Sequence, residues 1–126
     1  MPAKTLEAKV RPAPGGAGVA IIDLRGEIDA FGEGALNAAY AEASQSNPPA
    51  ILLNFSGVDY INSTGIALIV SLLAQARKSH RRVLAYGLSD HYLEIFQITR
   101  LADFMSIFPD EESAFAGAPA SAAADS

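Results

Sequence analysis

The chain contains no cysteine among its 126 residues. That excludes disulfide frameworks, thiol nucleophiles and cysteine-ligated zinc, and it suits a reducing compartment. Histidine is nearly absent: His80 and His91 are its 2 imidazoles, so a metal site would have to be rich in carboxylates. Basic residues are few, 9 Lys and Arg against 14 Asp and Glu, and the formal net charge is −5. A negative global field disfavours nucleic acid and anionic membrane, since both need clustered Lys and Arg. Aromatics make up only 8% of the chain, so its hydrophobic half (50%), rich in alanine, predicts a compact aliphatic core. The longest apolar stretch, Gly65 to Ala76, is interrupted by Ser71 and Gln75. It falls short of the about 20 residues that cross a bilayer. Met1 to Val10 carries Lys4, Glu7 and Lys9 without an apolar core, which is not the pattern of a secretory signal. The expectation is one cytoplasmic domain, without membrane insertion or direct nucleic-acid contact.

Catalytic signatures are missing as well. There is no G-x-x-x-x-G-K-S/T loop, no G-x-G-x-x-G and no G-x-S-x-G elbow. Gly32-Glu33-Gly34 is a lone glycine pair before a helix, and no cofactor is implied. Asp23, Glu27, Asp29 and Asp59 are carboxylates that can meet at one sheet edge. Solvated loop carboxylates are the commoner outcome.

What is present reads as alternating strands and helices. Thr5 to Arg11 alternates weakly as an edge strand, Pro12 to Gly18 forms a turn cluster, and Val19 to Leu24 is β-branched and apolar. Gly26-Glu27-Ile28-Asp29 reads as the break after that strand. Leu36, Ala39, Tyr40 and Ala43 then recur at helical spacing, and Asn47-Pro48-Pro49 stops that helix. Ala50 to Phe55 suits a central buried strand, followed by a turn at Ser56 to Asp59. A second helix starts near Ser63, with Ile66, Ile69, Val70 and Leu73 on one face and Leu68, Leu72 and Ala76 widening it. Its basic tail, Arg77 to Arg82, reads as favourable charge at a helix C-terminus plus a solvated loop. Val83 to Tyr86 is a strand, Asp90 to Thr99 a helix with Leu93, Ile95 and Phe96 inward, and Phe104 to Phe108 an edge strand. Pro109 to Glu112 caps a last helical turn ending near Phe115. The order predicts an α/β fold: a mixed four- to five-stranded sheet with about four helices packed against it. The domain spans residues 1–115, and residues 116–126 form a disordered Ala/Ser-rich tail.

The most distinctive segment is Val58 to Ile66, where a buried strand runs through a polar turn into an apolar helix. Open sheets expose functional loops at the carboxyl ends of their strands. Asn62, Ser63 and Thr64 all suit an N-cap, and Gly65 permits a close backbone approach. A hydroxyl there lies beside unpaired N–H groups and the positive end of the helix dipole, so a phosphate added to it is expected to be tolerated with little rearrangement. Tyr60 and Ile61 precede the cap as a candidate hydrophobic anchor or as core.

Three segments together resemble the STAS domain, and more narrowly the bacterial anti-sigma factor antagonists. They are Gly26-Glu27-Ile28-Asp29, Val58-Asp59-Tyr60-Ile61-Asn62-Ser63-Thr64-Gly65-Ile66, and FQITRLADFMSIF from Phe96 to Phe108. The resemblance runs from Val19 to Phe115 and implies a non-enzymatic switch. In that family the unphosphorylated domain binds an anti-sigma factor serine kinase. Phosphorylation of a serine at the start of the second helix abolishes binding, and a PP2C-type phosphatase restores it. The resemblance matches that serine to Ser63, the weaker second hydroxyl to Thr64, and the acidic residue near it to Asp29. It places the partner-binding surface on Asp29, Asp59, Tyr60, Asn62, Ser63, Thr64, Gly65 and Ile66. The family usually has Asp before the serine; Asn62 keeps the cap and the size but removes one negative charge. Two other readings compete. One is an unphosphorylated STAS scaffold, as a subunit of a signalling complex or an accessory to a lipid or anion transporter. The other is a small enzyme using Asp29 and Ser63, with no histidine base evident beside them.

Overall fold

The computed structural model describes residues 5–13 and 18–116. The strands are β1 (Glu7–Pro12), β2 (Val19–Ile28), β3 (Ala50–Ile61), β4 (Arg82–Tyr86) and β5 (Ser106–Phe108). The helices are α1 (Glu33–Ser44), α2 (Ser63–Lys78) and α3 (Asp90–Ile98), and residues 111–116 form α4. Short 3-10 turns occupy Ala30–Gly32 and Leu101–Phe104. The sheet order is β1-β2-β3-β4-β5. β1 pairs antiparallel with β2, and the other three pairings are parallel.

Each parallel step crosses over through a helix, and right-handed crossovers in a sheet of sequential order put those helices on one face. The side-chain alternation agrees. Ala20, Ile22, Ile51, Leu53, Phe55 and Ala85 point into one core with Leu36, Leu72 and Phe96. Val19, Ile21, Ala50, Leu52 and Leu84 point the other way, to a smaller cluster closed by Ala114 of α4. With both faces covered, the central strands are apolar on both sides, which is why they read as continuous hydrophobic runs. The expected mixed sheet of four to five strands with about four helices is the fold observed, with five strands and four helices among the described residues.

Several expected boundaries move. β2 continues through Gly26 to Ile28, and β3 through Ser56, Gly57, Val58 and Asp59 to Ile61, so neither predicted break exists. The ladder absorbs the extra residues at register shifts between Asp23 and Arg25 and between Gly26 and Glu27. Gly26 adopts φ +100°, and a Cβ on Gly57 would stand 2.9 Å from the Leu24 carbonyl oxygen. These glycines serve β-bulges, not turns. β4 pairs with β3 only as far as Asn54 opposite Tyr86, so the ends of β2 and β3 run beyond β4 as a two-stranded arm.

On α2 the buried residues are Gly65, Ile69, Leu72, Leu73 and Ala76, whereas Val70, expected inward, is 47% exposed. On α3, Tyr92 and Phe96 are buried and Leu93 is only half-buried. Phe104, expected in the last strand, lies in the 3-10 turn before β5. Ala116, expected in the tail, is helical. The rest of the predicted tail, and Pro14, Gly15 and Gly16 of the turn cluster, lie outside the described residues. Of the basic run, Arg81 closes the loops: its guanidinium donates to the Pro48 carbonyl at 3.1 Å and to Asn47 Oδ1 at 2.8 Å. No helix among the described residues is long and apolar enough to cross a membrane.

Candidate functional site

The arm places the site. Ile28 pairs with Ile61, so both strands end side by side. The Asn62 N–H donates to the Ile28 carbonyl at 3.2 Å. Asn62 has extended backbone and is the N-cap of α2: its Oδ1 accepts from the Gly65 N–H at 2.8 Å. Its carbonyl accepts from the Ile66 N–H at 2.9 Å. The cap therefore satisfies one of the donors that a helix start leaves unpaired. Ser63 and Thr64 are the first two residues of the helix, and both are exposed. Among the described residues the Ser63 hydroxyl has no hydrogen-bond partner.

Gly65 is buried beneath them. A Cβ there would lie 2.0 Å from the Ile28 carbonyl oxygen, so the predicted close approach of backbone to backbone is real. Ile66 is half-buried and packs on the main core. Gly65 and Ile66 thus shape the site from below. Ile61 is buried, and its N–H donates to the Tyr92 hydroxyl at 2.8 Å. Tyr92, which sequence reasoning missed, reaches from α3 to fix the strand end just before the cap. Its signal in the sequence was weak, because a tyrosine beside Leu93 reads as a surface residue.

Around the hydroxyls, Asp29 follows β2 and caps the next 3-10 turn, its Oδ1 accepting from the Phe31 N–H at 3.0 Å. That turn presents Phe31, 87% exposed, and Tyr60 on β3 is 51% exposed. Phe31 was not anticipated. Asp59 is exposed and lines a shallow depression with Thr5, Glu7 and Arg25. Asp29 and Ser63 make no hydrogen bond to each other, and no histidine hydrogen-bonds to either.

The four candidate carboxylates do not converge at one edge. Asp23 lies on the sheet face that α4 covers, bound by Arg11 Nε at 2.6 Å and Asn54 Nδ2 at 2.8 Å. Arg11 also reaches Glu111 of α4 at 2.5 Å, and the Tyr86 hydroxyl donates to that carboxylate at 2.7 Å. Burial opposes ionisation of Asp23, but the hydrogen bonds from Arg11 and Asn54 outweigh it and hold its pKa below the usual range. Hydrogen bonds from Arg11 and Tyr86 likewise lower Glu111. Burial, together with the bond to Glu111, raises Tyr86. This network clamps α4 to the sheet. Among the described residues no group of three or more His, Asp or Glu side chains comes together in a way that could hold a metal ion.

Fold and site together define a small α/β domain that presents a hydroxyl pair on a capped helix start. The chain belongs to the STAS family: the family described as "Mlab, STAS domain" matches residues 15–108. An anti-sigma-B factor antagonist of Staphylococcus aureus is 28% identical over 86 residues, covering 68% of this chain and 80% of that protein. The crystal structure of an anti-sigma factor antagonist from Mycobacterium paratuberculosis superposes with a TM-score of 0.70 at 21% identity, covering 90% of this chain and 93% of that one. The Bacillus cell fate determinant SpoIIAA in its phosphorylated form superposes with a TM-score of 0.63 at 20% identity, over 84% and 95% of the two chains.

Proposed function

We propose that this protein is an anti-sigma factor antagonist: a binding switch, not an enzyme, that engages an anti-sigma factor serine kinase until Ser63 is phosphorylated. The observation that carries the reading is the Ser63 hydroxyl, exposed and without a hydrogen-bond partner among the described residues, on a helix start whose backbone is held by Asn62 and Gly65. The name of the Staphylococcus aureus relative supports it. So does the existence of a phosphorylated form of a protein with this fold. The docking surface is the exposed ring of Tyr60, Ser63 and Thr64 with Asp29 beside it; Asp59 flanks it and Phe31 extends it.

The physics favours a phosphate here. It adds about −1.5 to −2 charges at pH 7 next to the first N–H groups of α2, where the helix dipole is positive. Asn62 caps the helix as an aspartate would, through Oδ1, yet adds no negative charge of its own next to the phosphate. A PP2C-type phosphatase finds the group at the surface and reverses the step.

The test is incubation with the cognate kinase and ATP, followed by mass spectrometry and binding assays. One phosphate is expected on Ser63 and none on Ser63→Ala. Ser63→Ala should keep kinase binding, and Ser63→Asp should weaken it by about tenfold or more, the scale of a misplaced charge in an interface. A phosphate retained in Ser63→Ala, or unchanged binding by Ser63→Asp, overturns the assignment.

A further inference from the structure

Well away from Ser63, a groove of about 800 Å³ opens between the second half of α2, β4 and the 3-10 turn Leu101–Phe104. Measured along α2 at 1.5 Å per residue, its lining runs from about 10 Å beyond Ser63, at Val70, to about 21 Å, at Arg77. Its floor is apolar: Leu73, Val83, Leu101 and Met105 are all buried. Its walls include two large exposed apolar side chains, Val70 at 47% and Phe104 at 54%. Ile98, next to the lining residue Thr99, is 72% exposed. Two of the five large hydrophobics that the described residues expose therefore line this groove. Isolated exposed hydrophobics are ordinary, but a contiguous set with a polar rim marks an interaction surface.

The rim is cationic. Arg77, His80, Arg81 and Arg82 line the groove, so it holds 3 of the 9 Lys and Arg of a chain with a net charge of −5. The sole acidic residue in the lining is Asp103, and Arg100 holds its carboxylate at 2.6 Å. Arg77 lies with its guanidinium carbon 5.6 Å from the centre of the Phe104 ring, a cation–π contact that orders a charge beside the apolar wall. Arg81 is fixed by Pro48 and Asn47, and Arg82 donates to Ser106 Oγ at 3.3 Å. These charges are positioned in advance, which lowers the ordering cost of binding.

We infer that this groove receives an acidic amphipathic helix of a partner protein. Apolar side chains at i, i+3, i+4 and i+7 enter between α2 and the 3-10 turn, and flanking Asp or Glu meet Arg77 at the rim. The groove follows α2 from Val70 to Arg77, two turns, which matches one face of a short helix. Nucleic acid is a poor fit, because the apolar floor offers its phosphates nothing and the rest of the chain is negative. A bilayer is a poor fit because a concave site does not meet a flat surface.

The probe is a fluorescein-labelled, three-turn synthetic helix with Leu and Phe at that spacing and glutamates at its flanks, titrated into the full chain. Anisotropy measures affinity and amide chemical shifts locate it. Shifts should concentrate at residues 70–82 and 99–106, leaving Ser63 unmoved. The same peptide with lysines for glutamates should bind at least about tenfold more weakly. Phe104→Ala and Arg77→Glu, both at exposed positions, should each weaken binding by about tenfold, while Glu42→Gln on α1 should not. Shifts outside the groove, or equal binding of the lysine peptide, overturn the inference. So does saturable binding of decanoate at these residues without binding of the acidic peptide, which would assign the groove to a small anionic amphiphile.

Discussion

Replacing Gly65 by alanine tests how the site is built. Two effects oppose each other. In a helix, alanine is better than glycine by about 1 kcal/mol, so propensity alone predicts a gain. Against this, the new methyl would sit 2.0 Å from the Ile28 carbonyl oxygen, 2.7 Å from its carbon and 3.0 Å from Ile61 Cγ2. A tolerable carbon–oxygen contact begins at about 3.3 Å, so the start of α2 must retreat by about 1.3 Å. The obstructing atoms are backbone in a paired strand and cannot rotate away. Overpacking of this kind costs about 1–3 kcal/mol where side chains can adjust, and the upper end applies when they cannot. The net expectation is a loss of about 2 kcal/mol, which lowers Tm by about 10 °C in a domain of this size. Gly34→Ala is the control. That glycine is exposed in α1 with nothing within 4 Å of a built Cβ, so the change should stabilise by about 0.5 kcal/mol. Urea denaturation of both variants decides the matter. If Gly65→Ala is as stable as the parent, the close contact between α2 and the end of β2 is wrong, and the support argued for Ser63 falls with it.

Asn62→Ala removes the side chain that accepts from the Gly65 N–H and should cost about 1 kcal/mol, whereas Asn62→Asp should hold or gain a few tenths through the helix dipole. Equal denaturation midpoints for the alanine and aspartate forms would contradict this. Tyr92→Phe leaves the Ile61 N–H buried without its acceptor, a loss of about 1–3 kcal/mol, with amide exchange at Ile61 as the specific readout. The clamp of α4 is acid-labile. Asp23 and Glu111 have folded pKa values below their unfolded ones, so their contribution is complete above about pH 5 and is lost as pH falls through the folded values. Denaturation across pH 2 to 6 should show this fall, and Glu111→Gln should flatten it; an unchanged slope would remove Glu111 from the account.

The element order was legible because its signals are local. The helical spacing of Leu36, Ala39, Tyr40 and Ala43 is the buried face of α1, and all four are in the core. Asn62 was one of three cap candidates, and its side chain is the one that bonds. The failures are non-local. Gly26 and Gly57 look like turn residues, but each strand supplies the other with a partner, and a paired ladder can pass through a glycine bulge that a lone segment could not. Val70 falls on the same helical stripe as Ile66 and Leu73, yet it lines the open groove between α2 and the 3-10 turn and is left exposed. Nothing local announces that Arg11 meets a carboxylate 100 positions away on α4. The same holds for the site: Ser63 is marked by its own neighbours, whereas Tyr92 and Phe31 reach it only through the fold.

The way the site is held also bears on how the proposed switch works. Around Ser63 the backbone is tied at four places: Asn62 to Ile28, Gly65 to Asn62, Ile61 to Tyr92 and Phe31 to Asp29. A phosphate that acted by moving α2 would have to break several of these bonds, each worth about 1 kcal/mol net, and would uncover Gly65 against the strand end. A phosphate that stays on the surface breaks none. The change it brings is electrostatic: about two negative charges on a face that otherwise offers Tyr60, Phe31 and two hydroxyls to a partner. Desolvating that charge against an unmatched surface costs several kcal/mol, enough to reduce affinity by a hundredfold or more by itself, about 2.7 kcal/mol being sufficient. On this reading the rigidity of the capped arm and the exposure of Ser63 belong to one design. The scaffold resists rearrangement, so a single modified hydroxyl changes what the surface can bind without changing the fold that presents it.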